Sequence, residues 1–307
     1  VAGKMREAIW RVFIGSRMAM AVDAATVEPL VEDIFSSVQR NPHAFNGLMR
    51  CKRDNEYLYR HALAVCALMI SLARRMKFSP DEIREAGLAG LLLDVGIVHL
   101  PVDLGAYGGD YRNLPEEIFQ QHVKLGHQFL RVAGGISEAV LAACLQHHET
   151  LDGTGYPLRV APERVSQLSR MAAICDTYDS MVSDTADGSG MNPASAIEQM
   201  SFMKGWFDPQ IMHHFIETMG IYPIGSVVRL RSGRLAMVVD QDSSDPACPK
   251  VRSFFSAEAR QLVRPETIAL SQCYGKDAII GLADPDAYGV PDFPRLRERL
   301  FAGAAKE

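Results

Sequence analysis

Apolar residues recur at three-and-four spacing along most of the chain from Val1 to about Gly220, the period of a helix with one buried face. EYLYRHALAVCALMISLARRM, SPDEIREAGLAGLLLDVG and LPEEIFQQHVKLGHQFLRV carry the pattern, and ISEAVLAACLQHH and LSRMAAICDTYDSMV continue it. Ser79-Pro80-Asp81-Glu82 reads as a helix start, with a hydroxyl at the cap and a glutamate three residues on. After Gly220 the texture changes. IYPIGSVVRLRSGRLAMVVDQ reads as strand, turn and strand around Arg231-Ser232-Gly233-Arg234, and KVRSFFS (250–256) as a third strand. ADPDAYGVPDFP (283–294), rich in Pro, Asp and Gly, reads as an extended tail before a last short helix, PRLRERLFAG. The expected fold is mainly α: a helical segment over 1–53, a helical bundle over 54–220, a small C-terminal β appendage over 221–282, and a tail with a short helix over 283–307.

Composition narrows this only slightly. With 307 residues and 48% hydrophobic content the chain can bury a core. A formal charge of −5 gives no general attraction to nucleic acid, and no nucleic-acid partner is expected. Six scattered cysteines, Cys51, Cys66, Cys144, Cys175, Cys248 and Cys273, form no CxxC pair; reduced thiols in a cytoplasmic protein are the expectation. No apolar run reaches the ~18 residues of a membrane span, and Asp94 interrupts the most apolar one. The chain opens on Val1, which leaves room for an upstream targeting or sensory segment.

The polar residues inside apolar helices carry the chemistry. His61, Asp94, His122, His147-His148 and Asp176 each interrupt an apolar run. Taken singly, each has a plain reading as a hydrogen-bonded core group or, for Asp94, a helix cap. Together they place imidazole and carboxylate on four separate helices, and buried charges are normally paired or bound to metal. A helical core lined this way can hold divalent ions between facing helices. Neighbouring residues on a helix diverge by ~100°, so His147 and His148 can converge only near a helix end. Asp152-Gly153-Thr154-Gly155-Tyr156-Pro157 supplies that end.

In its order of His61, Asp94, His122, His147-His148-Glu149, Asp152-Gly153-x-Gly155-Tyr156-Pro157 and Asp176, the chain resembles the HD-GYP family of HD-domain phosphohydrolases over roughly 54–220. The resemblance implies an HD-domain helical bundle, two or three iron or manganese ions, and hydrolysis of cyclic di-GMP. It implies that His61, Asp94 and Asp176 serve one metal, and that a bridging Asp94 joins His122, His147 and His148 at a second. Asp94, Glu149 and Asp152 are its expected catalytic carboxylates, with Asp152 and the glycines shaping the loop beside the cleft. Gly153, Gly155, Tyr156 and Pro157 form a loop whose exposed Tyr-Pro tip would suit docking to GGDEF-domain partners.

The chain departs from the family pattern at chemically decisive positions. Leu93 stands where the His of the HD pair is expected, and Ile97 replaces a lysine. Neither apolar side chain can ligate a metal or meet a phosphate. Thr185 and Asp187 stand where relatives carry a basic residue and a tyrosine, and Tyr57 replaces a glutamate linked to a third metal. The expectation is therefore one ion, at most two, weakened cyclic di-GMP binding and weak or absent phosphodiesterase activity, the protein acting through its metal-stabilised fold and protein contacts; the alternative is an active phosphodiesterase with an altered metal centre. His99 lies about 140° from Asp94 on a regular helix and is a poor substitute ligand. His127, His213 and His214 read as surface or packing residues.

Overall fold

A computed structural model describes residues 57–108, 111–133, 136–184, 190–242, 245, 247–273 and 275–304. The expected helical segment 1–53, Cys51, Thr185 and Asp187 lie outside these residues. Among them the chain forms two compact units, one from 57–179 with 203–214, the other from 180–202 with 215–304.

The first unit is helical. Helices α1 (Tyr57–Arg75) and α2 (Pro80–Leu92) pack side by side. Ser79 caps α2 as its sequence suggests: its hydroxyl accepts from the Glu82 amide while the Glu82 carboxylate accepts from the Ser79 amide at 2.8 Å. After α2 come Leu93 and Asp94, then a 3₁₀ turn, Val95–His99. A short helix, α3 (Glu116–Phe119), leads into α4 (His122–Ala133) and α5 (Glu138–Gln146). The long α6 (Gln167–Val182) follows the loop that α5 opens.

One backbone contact in this unit sets the site. A Cβ placed on Gly96 would lie 1.9 Å from the His122 carbonyl oxygen and 2.5 Å from the Gly126 amide nitrogen. Only glycine admits that approach, which holds the start of α4 against the turn that follows Asp94.

The second unit holds α7 (Pro193–Phe202), most of its sheet's core, and a terminal helix. Sequence alone grouped α7 with 54–220. Strands β1 (Val227–Leu230), β2 (Arg234–Asp240), β3 (Lys250–Ser256), β4 (Gln261–Ala269) and β5 (Ile279–Leu282) form an antiparallel sheet in the order β4-β3-β2-β1-β5. Val228 pairs with Ala236 and Val251 with Ile268. The first three strands match the sequence reading; β4 and β5 complete the sheet. The last helix, α9 (Phe293–Ala304, with α8 at Pro209–Met219), is no loose end: Phe293, Leu296, Leu300 and Phe301 are buried with Phe254, Phe255 and Leu235 in one core. Among the turn arginines, Arg234 pairs with Glu266 at 2.6 Å and Arg231 donates to the Gly275 carbonyl.

Cys66, Cys144, Cys175, Cys248 and Cys273 are free thiols. No helix among the described residues is long and apolar enough to cross a membrane.

Candidate metal centre

The first unit brings together all six candidate ligands. Asp94 sits just past α2 with φ −99° and ψ 11°, the sparsely populated bridge region where functional residues recur. His61 comes from α1, His122 from the start of α4, His147 from the C-cap of α5, His148 from the next position, and Asp176 from α6. The two histidines thus stand at a helix end, where their divergence closes.

Asp94 faces both ways. Its Oδ2 lies 3.2 Å from His61 Nε2, which is also 2.8 Å from Asp176 Oδ1. Its Oδ1 lies 3.2 Å from His122 Nε2 and 3.6 Å from His147 Nε2, and those two nitrogens are 3.3 Å apart. Two donor groups result, His61 with Asp94 and Asp176, and His122 with His147 and His148.

The donor chemistry fits a bound cation. The Nδ1 of His122 is 2.6 Å from the Phe119 carbonyl and that of His147 is 3.0 Å from the Cys144 carbonyl. A carbonyl only accepts, so each Nδ1 carries a proton; each Nε2 then donates a second N–H to Asp94 while the ring is charged, or turns a lone pair toward a bound cation. His61 repeats the pattern, with Nδ1 2.9 Å from Asp179 Oδ2 and Nε2 turned to two carboxylates. Converging lone pairs repel unless a positive charge sits among them. Bonds of ~2.1 Å at right angles place adjacent ligand atoms ~3.0 Å apart, the scale of the separations here.

The electrostatics point the same way. Burial works against the charge on Asp94, but hydrogen bonds from His122, His147 and His61 outweigh it and hold the carboxyl well below its usual range. Burial alone would lower His147; its bond to Asp94 and the carboxylate's field raise it. His148 is driven well below the usual imidazole value by burial and then by His147 and His122. Aromatic rings enclose the imidazoles: Phe119 lies 4.4 Å from His122 and Tyr156 stacks on His148 at 4.6 Å.

The Gly-Tyr-Pro loop is built around Glu149 and Asp152. Buried Glu149 accepts from the amides of Leu158 (2.6 Å), Arg159 (3.1 Å) and Val160 (3.3 Å). Exposed Asp152 accepts from the hydroxyls of Thr150 and Thr154, both at 2.6 Å, and from the Thr154 amide, bonds that depress its carboxyl. Of the three expected catalytic carboxylates, Glu149 and Asp152 thus bond to loop amides and threonines and join neither donor group. A Cβ on Gly155 would lie 2.4 Å from the His148 carbonyl oxygen, so the loop folds tightly under the histidine pair. Gly153 has φ +75°, and Pro157 follows Tyr156 through a cis bond. Tyr156 does not form an exposed tip: its amide donates to the His148 carbonyl and its ring lies on the His148 ring. Leu158, 46% exposed, is the outward apolar residue.

Two departures from the family pattern, Leu93 and Ile97, fall in the core. Leu93 is buried, and the thiol of Cys144 donates to its carbonyl. Ile97 packs with Leu100, Tyr111 and Leu114, so the expected lysine position is apolar throughout. The backbone after Asp94 is indeed irregular, yet His99 packs at a tilt against Phe129, 4.9 Å between ring centres, and joins neither donor group. Asp179 escaped the sequence reading, although its place three residues after Asp176 puts both carboxylates on one face of α6.

Comparison with known proteins places these features. The HD domain family matches residues 40–211. The chain is 38% identical over 306 residues to a cyclic di-GMP phosphodiesterase of Pseudomonas aeruginosa, covering all of this chain and 73% of that protein. This chain is an HD-GYP protein. A second relative, the cyclic di-GMP phosphodiesterase PdeB of Borreliella burgdorferi, is 24% identical over 201 residues, 65% of this chain and 53% of that protein. The HD-GYP chain also shares its fold with an HDG"Y"P protein from Bdellovibrio bacteriovorus, at a TM-score of 0.58 and 19% identity over 70% of this chain and 69% of that one.

Proposed function

We propose that this HD-GYP protein is a metal-dependent phosphodiesterase of cyclic di-GMP signalling whose turnover is held low by Leu93 and Ile97. The split of Asp94, one oxygen toward each donor group, carries the reading, because it is what a bridged two-ion centre requires of the protein. The resemblance to the Pseudomonas aeruginosa phosphodiesterase, over all of this chain and 73% of that protein, supports the substrate. Two divalent ions, when bound, lower the pKa of water and neutralise charge on a phosphodiester during in-line displacement.

The chain's own residues have separate tasks. Asp94 holds both donor groups in register. His122 and His147, each locked into one tautomer by a backbone carbonyl, present fixed lone pairs. Tyr156 stacks on His148 and fixes the plane of its ring. Glu149 anchors the loop that carries Tyr156. With Ile97 in the apolar cluster, no cation from that position meets the phosphates, and a charge-assisted contact worth roughly 1.5–3 kcal/mol is missing. Contact with GGDEF-type partners, if the loop makes it, falls to Leu158 and Arg159, which face outward, and not to Tyr156.

Hydrolysis of cyclic di-GMP by the chain loaded with iron or manganese tests the proposal. Slow turnover is expected, abolished by Asp94→Asn and raised by Leu93→His. Turnover indifferent to Asp94→Asn, or none with two ions bound, would refute it.

A further inference from the structure

The two sides of Asp94 are chemically unlike. On one side stand three imidazoles, His122, His147 and His148; on the other a single imidazole, His61, with Asp176. Leu93, buried at the position where the family pattern has a histidine, supplies no imidazole to either side. The partners behind the ligands differ as well. His122 and His147 lean on backbone carbonyls, whereas His61 leans on the carboxylate of Asp179, which is only 2% exposed. Three carboxylates therefore surround one imidazole on the His61 side. Imidazole-rich sets favour divalent metals late in the first transition row, and carboxylate-rich sets suit manganese or magnesium.

We infer that the centre sorts its ions by class: the three-histidine side retains a late first-row metal, and the His61 side takes a hard cation weakly, with Asp179 as its positioning residue. By holding Nδ1–H, Asp179 turns the one remaining nitrogen donor of that side toward Asp94 and Asp176. Removing such a partner ordinarily weakens metal affinity ~10–100-fold. This inference rests on the metal-dependent reading above, but its readouts are binding and not turnover.

The full chain, stripped with chelator, is loaded with one equivalent of Co²⁺, followed by absorption, and then titrated with Mn²⁺, followed by the resonance of the free ion. Co²⁺ should be lost in His147→Ala and kept in Asp179→Ala. Mn²⁺ should bind the cobalt-loaded chain as a second ion, and Asp179→Ala should weaken it ~10–100-fold. Asp179→Asn, whose amide oxygen still accepts from Nδ1–H, should recover part of that loss. Leu93→His should let a second equivalent of Co²⁺ displace Mn²⁺, a test independent of whether the Asp179 variants fold. Displacement of the loaded Co²⁺ by Mn²⁺, equal weakening of both ions in Asp179→Ala, or no Mn²⁺ binding beside Co²⁺ would overturn the inference. A chain that sorts its ions yet leaves cyclic di-GMP intact would overturn the proposed function alone.

Discussion

Replacing Glu149 with glutamine separates loop anchoring from proton transfer. One carboxylate oxygen accepts from the amides of Leu158 and Arg159, the other from Val160. A glutamine can keep the first pair through its carbonyl, but its NH₂ then faces the Val160 amide donor to donor. Each retained bond falls from charge-assisted to neutral strength, about 1 kcal/mol apiece, and one N–H loses its acceptor at about 1–3 kcal/mol. Leu158 and Arg159 are exposed, so their amides can take water in exchange and the total stays near 2–4 kcal/mol. Since 1.4 kcal/mol is a factor of ten, opening of this loop should rise about 30- to 1000-fold. Hydrogen exchange of the peptide spanning 156–162, measured on the full chain, reads that change directly. Metal held on the His148 side should loosen with it, because the same loop carries Tyr156. Unchanged exchange together with lost turnover would refute the anchoring argument and return Glu149 to the catalytic role that sequence alone suggested.

Gly155→Ala should displace the loop, since its methyl would meet the His148 carbonyl oxygen and the Thr150 amide within 2.5 Å; metal content per chain should fall while helical circular dichroism stays, and full retention of metal would count against the fit. Ile97→Lys should lower the thermal midpoint sharply, because an ammonium in the cluster of Leu100, Tyr111 and Leu114 has no partner and costs several kcal/mol; an unchanged midpoint would show that the lysine reaches the centre after all. Asp152, depressed below the usual aspartate value by its threonine bonds, stabilises the loop above about pH 4 and loses that contribution only as pH falls through its lower folded value. The Thr154 amide resonance should therefore be flat from pH 7 to 5, and a titration near pH 6 would contradict the assignment.

The donor groups were legible because imidazole and carboxylate inside apolar helices have few stable alternatives, and because Asp152-Gly153 marks where the α5 helix must end. What the sequence concealed depended on contact. Asp179 looks like one polar residue among several in CDTYDSM, and only its bond to His61 singles it out. Tyr156, in a Gly- and Pro-rich turn, reads as a surface tip until its ring is found on His148. Glu149 looks catalytic by its neighbours in sequence, while its geometry depends on amides nine to eleven residues away. In the second unit, β4 escaped because an edge strand with most positions exposed lacks a clean alternation. The last helix is legible as PRLRERLFAG, but its burial is not, because flanking Pro and Asp outweigh the apolar spacing of Phe293, Leu296, Leu300 and Phe301.

The contact of Gly96 with the backbone at His122 and Gly126 bears on how this centre can change over time. Main chain against main chain fixes where α4 begins relative to Asp94, and no side chain takes part in that measurement. The histidine and lysine positions next to Asp94 can therefore drift to leucine and isoleucine while the remaining donors stay in place. Such a socket keeps its shape through partial loss of its contents. Leu93→His would therefore add a ligand without moving the socket, whereas any side chain at Gly96 would move the socket itself.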